Sequence, residues 1–437
     1  MEENLSDFAN TVIAADRPAL NRTRAIAAIT IGNALEFFDF TVFSFLAVTI
    51  GKVFFPTESA YGQILLATAT FGVGFITRPI GGIVLGTYAD RAGRRAALLV
   101  TLGLMALGSA LMAFTPTYAE IGVAAPVIIV IARLIQGFSA GGEVGATTAM
   151  LLEYAEPHNR SFYSSWQFAS QGLGVAIGAA LATGSAGLLS HAAFMSWGWR
   201  FPFVIGMLVA PAGLYIRHKL ADTLVPASRR KDAHPSSPLG IVLRDHWRTV
   251  ILGLMMMAGG TASVYLITFY MPTYAIRQLH VHMTGALSAG IIVGLILFIG
   301  TPLLGLLADR FNRKAISIAA RVATVLAIYP AFLYLNAAPS AGRLLIVVAV
   351  LITLHVFSLA SMAIVPSLLP KPVRATGSAF IYAVGVVIVG GSSQVIVTWL
   401  VHVTGSRLSP ALFLLVCSAI TILGLILIED RSGEEKI

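Results

Sequence analysis

Acidic and basic side chains interrupt the apolar stretches of this 437-residue chain at only a few positions. Asn33, Glu36 and Asp39 recur every third residue, so they share one face of a helix, and Arg133 and Gln136 do the same further along. An ionised, buried carboxylate attracts a neighbouring guanidinium, and it releases that guanidinium when the carboxylate binds a proton. We therefore expect Asp39 to face Arg133 across a cavity and to couple protonation to anion binding. Glu36 is the rival proton site, and a permanent ion pair that only locks two helices is the alternative.

Other polar side chains in these stretches are candidates for contacting the anion. Arg78 stands before Pro79, where it could neutralise Glu36 or Asp39, touch the anion, or simply pair helices. Guanidinium, amide and hydroxyl donors suit carboxylates, which accept several hydrogen bonds at once. The predicted binding residues are Asn33, Arg78, Arg133, Gln136, Gln167, Gln171, Tyr265, Tyr270, His355 and Tyr382.

Three further residues have competing interpretations. His355 is alone on an apolar helix, so a hydrogen-bonded core position is as natural for it as a binding role. Arg321 is expected to extend its side chain to the membrane surface. Tyr274 is expected to belong to an aromatic belt at the membrane interface.

The composition places these residues in a membrane protein. Hydrophobic residues make up 57% of the chain and charged residues only 11%, against about 25% in a soluble domain. Too few charges remain to cover a soluble enzyme, and the net charge of +9 sits in short clusters rather than on one nucleic-acid-binding face. The single Cys417 excludes a disulfide framework and a multi-cysteine metal site. No metal, cofactor or nucleic-acid partner is therefore expected.

Twelve apolar runs, called spans 1 to 12, are long enough to cross a hydrocarbon core, which needs about twenty residues per helix. Their continuity predicts helices, since barrel strands would alternate. The spans cover about residues 25–50, 61–88, 96–115, 121–152, 162–188, 199–217, 248–275, 283–308, 315–335, 343–367, 374–402 and 408–428.

The polar stretch between spans 6 and 7 divides the chain in two. The predicted organisation is a tail over 1–24, a six-helix bundle over 25–217, a linker over 218–247, a second six-helix bundle over 248–428, and a tail over 429–437. Lysine and arginine concentrate in the loops on the side of the N-terminus, which predicts that both termini and the linker are cytoplasmic. The first twenty-four residues are polar, so span 1 is interpreted as a retained helix rather than a cleaved signal peptide.

A pattern in the loop after span 2 recurs after span 8. Residues 86–95 read Gly-Thr-Tyr-Ala-Asp-Arg-Ala-Gly-Arg-Arg, and residues 305–314 read Gly-Leu-Leu-Ala-Asp-Arg-Phe-Asn-Arg-Lys. Internal repeats are typical of secondary transporters, although two positive loops that merely stop transfer would share the arginines. We expect Asp90 to pair with arginines or a helix N-terminus on the facing half, and Gly86 to allow close helix approach. The predicted cytoplasmic gate comprises Gly86, Asp90, Arg91, Gly93, Arg94, Arg95, Asp309 and Arg310, with Asn312 making the second copy looser.

The first loop pattern resembles the signature of the major facilitator superfamily. Motifs in spans 1, 2, 4, 5 and 6 resemble its metabolite:proton symporter family, and those of spans 5 and 7 look most like citrate and tricarballylate transporters. These motifs are 32–40 (GNALEFFDF), 74–82 (GFITRPIGG), 133–143 (RLIQGFSAGGE), 162–171 (FYSSWQFASQ), 199–203 (WRFPF) and 270–274 (YMPTY). Related symporters place a span-1 aspartate against a span-4 arginine, which agrees with the pairing expected for Asp39.

The resemblance implies an all-α membrane protein with twelve transmembrane helices in two six-helix bundles. It implies symport of protons with a small organic anion such as citrate or tricarballylate, by alternating access, in the bilayer of a bacterial cytoplasmic (inner) membrane. Two bundles suffice to enclose a path, so a functional monomer is expected. Helix-bending positions are expected in the second half, at Pro272, Pro302, Pro366, Gly259-Gly260 and Gly390-Gly391.

Other functions remain open at this point. A symporter of zwitterions or other metabolites (proline/betaine, shikimate, 2-oxoglutarate) shares the same family. A drug/proton antiporter or a transport-inactive sensor is less favoured, because the candidate cavity holds arginine and glutamine besides acidic and aromatic groups. An enzyme is disfavoured, since no nucleophile–base arrangement and no glycine-rich Lys-Ser/Thr phosphate loop occurs.

Overall fold

The computed structural model describes residues 19–92, 94–153, 155–156, 158–208, 238–360, 364–370 and 373–428, and nearly all of these are helical. In the first half of the chain, span 1 consists of two helices that meet at a bend of 64°. The helices of this half are Ala19–Phe45, Ala47–Phe54, Ala60–Ile76, Arg78–Ala92, Arg94–Phe114, Ala124–Glu153 and Arg160–Leu188, with short helices Tyr118–Ile121 and His191–Ser196. Residues 201–208 begin span 6, whose remainder lies outside the described residues.

The second half of the chain also consists mainly of long helices. Its helices are Pro238–Asp245, Trp247–Val264, Met271–Arg277, Met283–Arg310, Arg313–Ala337, Ala341–Ser358, Arg374–Gly385, Ser392–Thr404 and Ser409–Leu427, with a 3-10 turn Val365–Leu368. Within the described part of the chain, nine helices are long and apolar enough to cross a membrane, or ten when the bent span 1 is included. The predicted linker over 218–247 lies outside the described residues up to 237.

Short polar side chains begin several helices. The side-chain oxygens of Ser59, Asn312 and Ser340 accept hydrogen bonds from the backbone N–H groups three residues ahead. Such caps satisfy N–H groups that have no partner within the helix. These caps fix where spans 2, 9 and 10 begin.

Glycines bring the site-bearing helices into backbone contact. A Cβ on Gly137 would overlap the carbonyl oxygen of Gly74, and one on Gly141 would overlap that of Arg78. Spans 2 and 4 are therefore packed as closely as backbones allow, as small residues permit between membrane helices. Gly172 and Gly294 do the same where span 5 meets span 8, which joins the first and second halves of the chain.

Spans 7 and 11 each contain a π-helical segment, Tyr265–Tyr270 and Val386–Gly391. The two segments touch, since a Cβ on Gly390 would lie 2.7 Å from the Tyr265 ring. The expected bending points fall partly here, because Gly390-Gly391 ends one segment and Pro272 follows the other. Pro302 instead lies within the continuous helix Met283–Arg310. Such segments are frequent at functional sites.

Candidate functional site

Glu36 and Arg78 form a buried ion pair between spans 1 and 2. The Oε1 atom of Glu36 lies 3.7 Å from Nη2 of Arg78. The Arg78 guanidinium lies over the rings of Phe40 and Phe75, at 4.5 and 4.3 Å from their centroids. Of the partners considered for Arg78, the structure thus places Glu36 closest to it.

Arg133 of span 4 is fully buried in a cage of aromatic rings. Its guanidinium carbon lies 4.5 Å from the Phe40 centroid, 4.6 Å from that of Phe43 and 5.3 Å from that of Phe71. Its Nη1 donates to Oε1 of Gln136 at 2.9 Å. Desolvated cation–π contacts contribute about 2 kcal/mol or more, so the cage stabilises a buried charge that apolar packing alone would not.

Asp39 reaches Arg133 through two intermediate side chains. Ser109 of span 3 donates to Oδ2 of Asp39 at 2.6 Å, and Nε2 of Gln136 donates to Oγ of Ser109 at 3.3 Å. We call Asp39, Ser109, Gln136 and Arg133 the polar chain. Asp39 and Arg133, which were expected to face each other across a cavity, are joined through two intermediate side chains: Gln136 accepts from the guanidinium and Ser109 donates to the carboxylate.

Ser109 is a site residue that the sequence did not single out. It stands between Gly108 and Ala110, where a serine looks like small-residue packing. The other Asp39 oxygen, Oδ1, has no hydrogen-bond partner among the described residues and lies against Gly206 of span 6. Asp39 is thus buried, with one oxygen in the polar chain and one uncommitted.

The span-1 face that carries the three polar residues serves three different neighbours. Asn33 donates to Oγ of Ser170 at 2.6 Å and to the carbonyl oxygen of Gln167 at 3.0 Å, both on span 5. Glu36 faces span 2 and Asp39 faces span 3. On a helix of 3.6 residues per turn, side chains three residues apart point about 60° away from each other around the helix axis. Three such residues therefore point towards different neighbouring helices. Asn33 and Gln167 therefore tie span 1 to span 5.

A cavity lies between the first and second halves of the chain, with about 610 Å³ of atom-free space that includes some open to solvent. Four of the predicted binding residues line it: Gln171, Tyr265, His355 and Tyr382. Its other lining residues are Phe37, Phe168, Val175, Gly260, Thr261, Val264, Thr268, Phe269, Leu297, Leu359 and Val386. The aromatic and aliphatic lining with few polar groups is typical of a small-molecule site.

Three cavity-lining side chains carry polar atoms without a hydrogen-bond partner among the described residues. These atoms are Nε2 of Gln171, Oγ1 of Thr268 and Nδ1 of His355. Buried polar atoms are normally satisfied, so unsatisfied ones around a cavity indicate a ligand or water. The sequence missed Thr261 and Thr268, although they stand four residues before and three after Tyr265, on one helical face.

Tyr265 and Tyr382 connect the cavity to the buried charges. Both phenols interact electrostatically with Arg78 and Glu36. The Tyr265 ring also packs edge-on against Phe75, with centroids 5.3 Å apart. Since the Arg78 guanidinium also lies over the Phe75 ring, the Glu36–Arg78 pair is next to Tyr265.

The remaining predicted residues of span 7 lie away from the cavity lining. Tyr270 accepts a hydrogen bond from Thr398 of span 11 at 3.3 Å. Tyr274 is fully buried, and its hydroxyl donates to the carbonyl oxygen of Arg407 at 2.7 Å while Asn336 donates to it at 2.9 Å. The aromatic-belt position expected for Tyr274 is therefore wrong, since these partners draw the ring inward.

Arg321 also differs from its expected position at the membrane surface. It is 1% exposed, and its guanidinium donates to the carbonyl oxygen of Gly259 and to Oγ of Ser263 at 3.1 Å each, and to Oγ of Ser358 at 2.5 Å. Three acceptors from spans 7 and 10 hold the side chain inside the protein, so it does not extend to the surface.

The second copy of the loop pattern joins the two halves of the chain at one end of the helix bundle, called the Asp309 end. Both carboxylate oxygens of Asp309 accept hydrogen bonds at the N-terminus of Arg160–Leu188, from the N–H groups of Ser161 at 2.9 Å and Phe162 at 3.0 Å. A carboxylate there is stabilised by the helix dipole. Gly305 packs directly on this turn, since a Cβ built on Gly305 would lie 2.7 Å from the Cα atom of Phe162.

The first copy is described less fully. Among the described residues, no atom lies within 4 Å of a Cβ built on Gly86, so these residues do not show the close approach expected there, whereas Gly305 makes one. Arg310 is exposed, and Asn312 caps the helix that follows. Gly93 lies outside the described residues, as do the side chains of four other predicted gate residues, Asp90, Arg91, Arg94 and Arg95.

Contacts also join the halves at the opposite end, called the Tyr61 end. The Tyr61 ring stacks on His402 with centroids 3.8 Å apart, and Arg277 donates to the carbonyl oxygen of Ala60 at 3.0 Å. Deeper inside, Gln394 donates to Oγ of Ser44 at 3.0 Å. The cavity therefore lies between two ends that are both held by contacts between the halves.

Known proteins are similar to this chain in sequence and in fold. The family described as Major Facilitator Superfamily matches residues 29–390. The citrate-proton symporter of Klebsiella pneumoniae is 38% identical over 393 residues, covering 89% of this chain and 88% of that protein. The citrate-proton symporter of Salmonella typhi is 36% identical over 397 residues, covering 91% of each. The proline/betaine transporter of Escherichia coli K12 is 30% identical over 417 residues, covering 91% of this chain and 81% of that protein.

Solved structures agree at the level of the fold. A crystal structure of a D-xylose-proton symporter superposes with a TM-score of 0.71 at 18% identity, covering 91% of this chain and 97% of that one. At that identity the likeness concerns the arrangement of helices alone. The all-α fold expected from the sequence is confirmed.

Proposed function

We propose, from the premise that this chain belongs to the Major Facilitator Superfamily, that it imports a small organic acid together with protons. The substrate is a tricarboxylate or dicarboxylate such as citrate or tricarballylate, as in the relatives named citrate-proton symporters. The observation that carries the proposal is the polar chain, because it links a protonatable carboxylate to a buried guanidinium by three hydrogen bonds.

Protonation of Asp39 is the coupling event of this proposal. While Asp39 is ionised, Ser109 donates to it, and Gln136 remains free to accept from Arg133. A proton bound on Oδ2 of Asp39 turns that atom into a donor to Ser109, so the Ser109 hydroxyl hydrogen turns towards Gln136. The Gln136 amide then rotates, so that its Oε1 accepts from Ser109 instead of from Arg133. Arg133 then loses that bond and the nearby negative charge, which frees it for a substrate carboxylate. Glu36, already paired with Arg78, is the alternative proton site.

Substrate binding is assigned to the cavity. Gln171, Tyr265, His355 and Tyr382 supply its polar groups. Arg78 and Arg133 supply positive charge behind them, while the supporting set of Asn33, Gln136, Gln167 and Tyr270 holds the surrounding spans together. The unsatisfied atoms of Gln171, Thr268 and His355 support this assignment, because a carboxylate-rich substrate accepts and shares several hydrogen bonds.

Contacts between the halves at both ends of the cavity support alternating access. The proposed arrangement is two six-helix bundles, over 25–217 and 248–428, that rock about the cavity within a bacterial inner membrane, as a functional monomer without a cofactor. Both termini and the Asp309 end face the cytoplasm, in line with the lysine and arginine bias of the loops. The Glu36–Arg78 pair and the polar chain then lie inside the first bundle.

Reconstituted liposomes test the proposal. With an inward proton gradient, the purified protein is expected to accumulate labelled citrate, and an uncoupler should abolish the accumulation. The matched control is the same vesicle without a gradient, where label should only equilibrate. Citrate uptake that ignores the gradient would remove the symport proposal.

A zwitterion symporter is the second candidate. Its specific support is the aromatic part of the cavity lining, Phe37, Phe168 and Phe269, because aromatic faces suit quaternary ammonium groups. Competition against citrate uptake separates the two, using tricarballylate, 2-oxoglutarate, shikimate and betaine. We expect tricarballylate to compete and betaine not to; the reverse order would favour the zwitterion.

Asp309→Asn should weaken closure at the Asp309 end. An uncharged amide presents one acceptor where the carboxylate presents two, and a hydrogen bond to a charged group contributes about 1.5–3 kcal/mol. A loss of about 1.4 kcal/mol corresponds to tenfold in an equilibrium. In a Cys417→Ser background, a cysteine at buried Ser165 should therefore react with a water-soluble maleimide about tenfold faster once Asp309 is replaced.

The control for this experiment is Asp245→Asn, because that carboxylate is 56% exposed and its ion pair among the described residues is with neighbouring Arg244. Its labelling rate should match the parent. An unchanged rate in the Asp309 variant would show that the two backbone hydrogen bonds do not hold this end closed.

A further inference from the structure

Arg321 is a buried cation whose hydrogen-bond acceptors in the described part of the chain are all uncharged. They are a backbone carbonyl of span 7 and the hydroxyls of Ser263 and Ser358. The ion pairs among the described residues do not include it. An isolated buried charge is costly, and an ionisable group within a membrane helix usually marks a functional path. Arg321 belongs neither to the polar chain nor to the contacts given for the Asp309 end and the Tyr61 end.

Arg321 is linked directly to the turn that carries His355. Ser358 accepts from Nη2 of Arg321 and donates to the carbonyl oxygen of His355 at 2.7 Å. His355 interacts electrostatically with Arg321 and lines the cavity. Its side chain is 1% exposed, and its Nδ1 has no hydrogen-bond partner among the described residues.

The two halves of the chain differ in how their buried arginines are compensated. Arg78 lies 3.7 Å from Glu36, and Arg133 is joined to Asp39 through the polar chain. No described carboxylate plays this part for Arg321. The second half therefore contributes an uncompensated positive charge behind His355, and in a low-dielectric interior such a charge acts over several ångströms.

We propose that Arg321 is a positioning residue that fixes His355, and that His355 binds a carboxylate of the organic acid on the second-half side of the cavity. The inference rests on the proposed function and deepens it. The positive charge behind His355 favours an anionic group over a neutral or cationic one at that position. A substrate with carboxylates at both ends can then contact both halves at once.

Equilibrium binding of labelled citrate to the purified protein tests this. His355→Phe removes the hydrogen-bonding atoms and should raise the Kd about tenfold or more. Arg321→Met should raise it to a similar degree, but should add little in the His355→Phe background, because both changes remove one contact. Arg321→Lys keeps the charge and should stay within about threefold of the parent. Thr353→Ala and Thr324→Ala are the controls, since each hydroxyl donates to a backbone carbonyl of its own helix, that of Ala349 and of Ala320 respectively.

Whether the effects of the two substitutions on Kd add distinguishes a positioning role of Arg321 from general support of the fold. An Arg321→Met effect that is just as large in the His355→Phe background would overturn the link between the two residues. Unchanged citrate binding by His355→Phe would overturn the carboxylate contact. If Arg321→Met does not fold, Ser358→Ala removes the bridge while keeping the charge, and it should also weaken binding. A parent protein that binds no organic acid would overturn the proposed function, and this inference with it.

Discussion

Asp39→Asn is expected to abolish uphill accumulation of the organic acid while leaving binding and substrate exchange in place. The amide keeps the shape of the protonated acid and, like it, can donate to Ser109, but it cannot take up or release a proton. Arg133 is then held in one state of the polar chain regardless of pH. In proteoliposomes with an inward proton gradient, the ratio of internal to external citrate should fall to about one, while counterflow of labelled citrate continues.

Two further variants separate the candidate proton sites. Glu36→Gln should still concentrate citrate, although with a lower rate because Arg78 loses its partner. Ser109→Ala keeps the proton site but breaks the polar chain, so uptake should continue with weaker dependence on the gradient. Retained accumulation in Asp39→Asn together with its loss in Glu36→Gln would move the proton to Glu36.

Arg133→Lys is expected to reduce citrate binding and uptake by about a hundredfold or more. An ammonium cannot stack flat against Phe40, Phe43 and Phe71, and it cannot present two parallel donors to a carboxylate. Losing one of two charge-assisted hydrogen bonds to a carboxylate costs up to about 3 kcal/mol, which corresponds to about a hundredfold. The lost ring contacts also leave the cation less well oriented. Kd and initial uptake rate both report it.

Arg200→Lys provides a matched control for this substitution. Arg200 also stacks on an aromatic ring, 4.3 Å from the Trp199 centroid, and donates to the carbonyl oxygen of Thr115. It lies outside the cavity lining and is half-buried. Near-parental uptake in Arg200→Lys and a large loss in Arg133→Lys would assign the effect to the site. Parental uptake in Arg133→Lys would remove Arg133 from substrate binding.

Periodicity and charge were enough to locate most of the buried polar residues from the sequence. Glu36, Asp39, Arg78 and Arg133 interrupt long apolar runs, and all four are buried in the structure. The cost of a charge in hydrocarbon makes such positions visible without any knowledge of the fold. The runs themselves predicted the helices, because a membrane core sets their length.

Partner choice could not be predicted in the same way. Ser109 is small and uncharged, so nothing in its neighbourhood distinguishes a hydrogen-bonding role from packing. The position of Arg321 depends on acceptors from two other spans, which helical spacing within span 9 does not reveal. Among the described residues, Gly305 rather than Gly86 makes the close contact, since the approach of two backbones is fixed by the whole bundle.

The partners of the span-1 acids also imply an order of biogenesis. Span 1 is synthesised first, and a charged residue near the middle of a helix costs about 2.5–3.5 kcal/mol to insert. Glu36 pairs with Arg78 on span 2, the next span to be synthesised, and Asp39 accepts a hydrogen bond from Ser109 on span 3. The partner of each acid is therefore synthesised soon after the acid itself. Span 1 depends on spans 2 and 3 to remain in the bilayer. A truncation after span 1 should accordingly leave that segment poorly integrated, whereas one after span 3 should retain it.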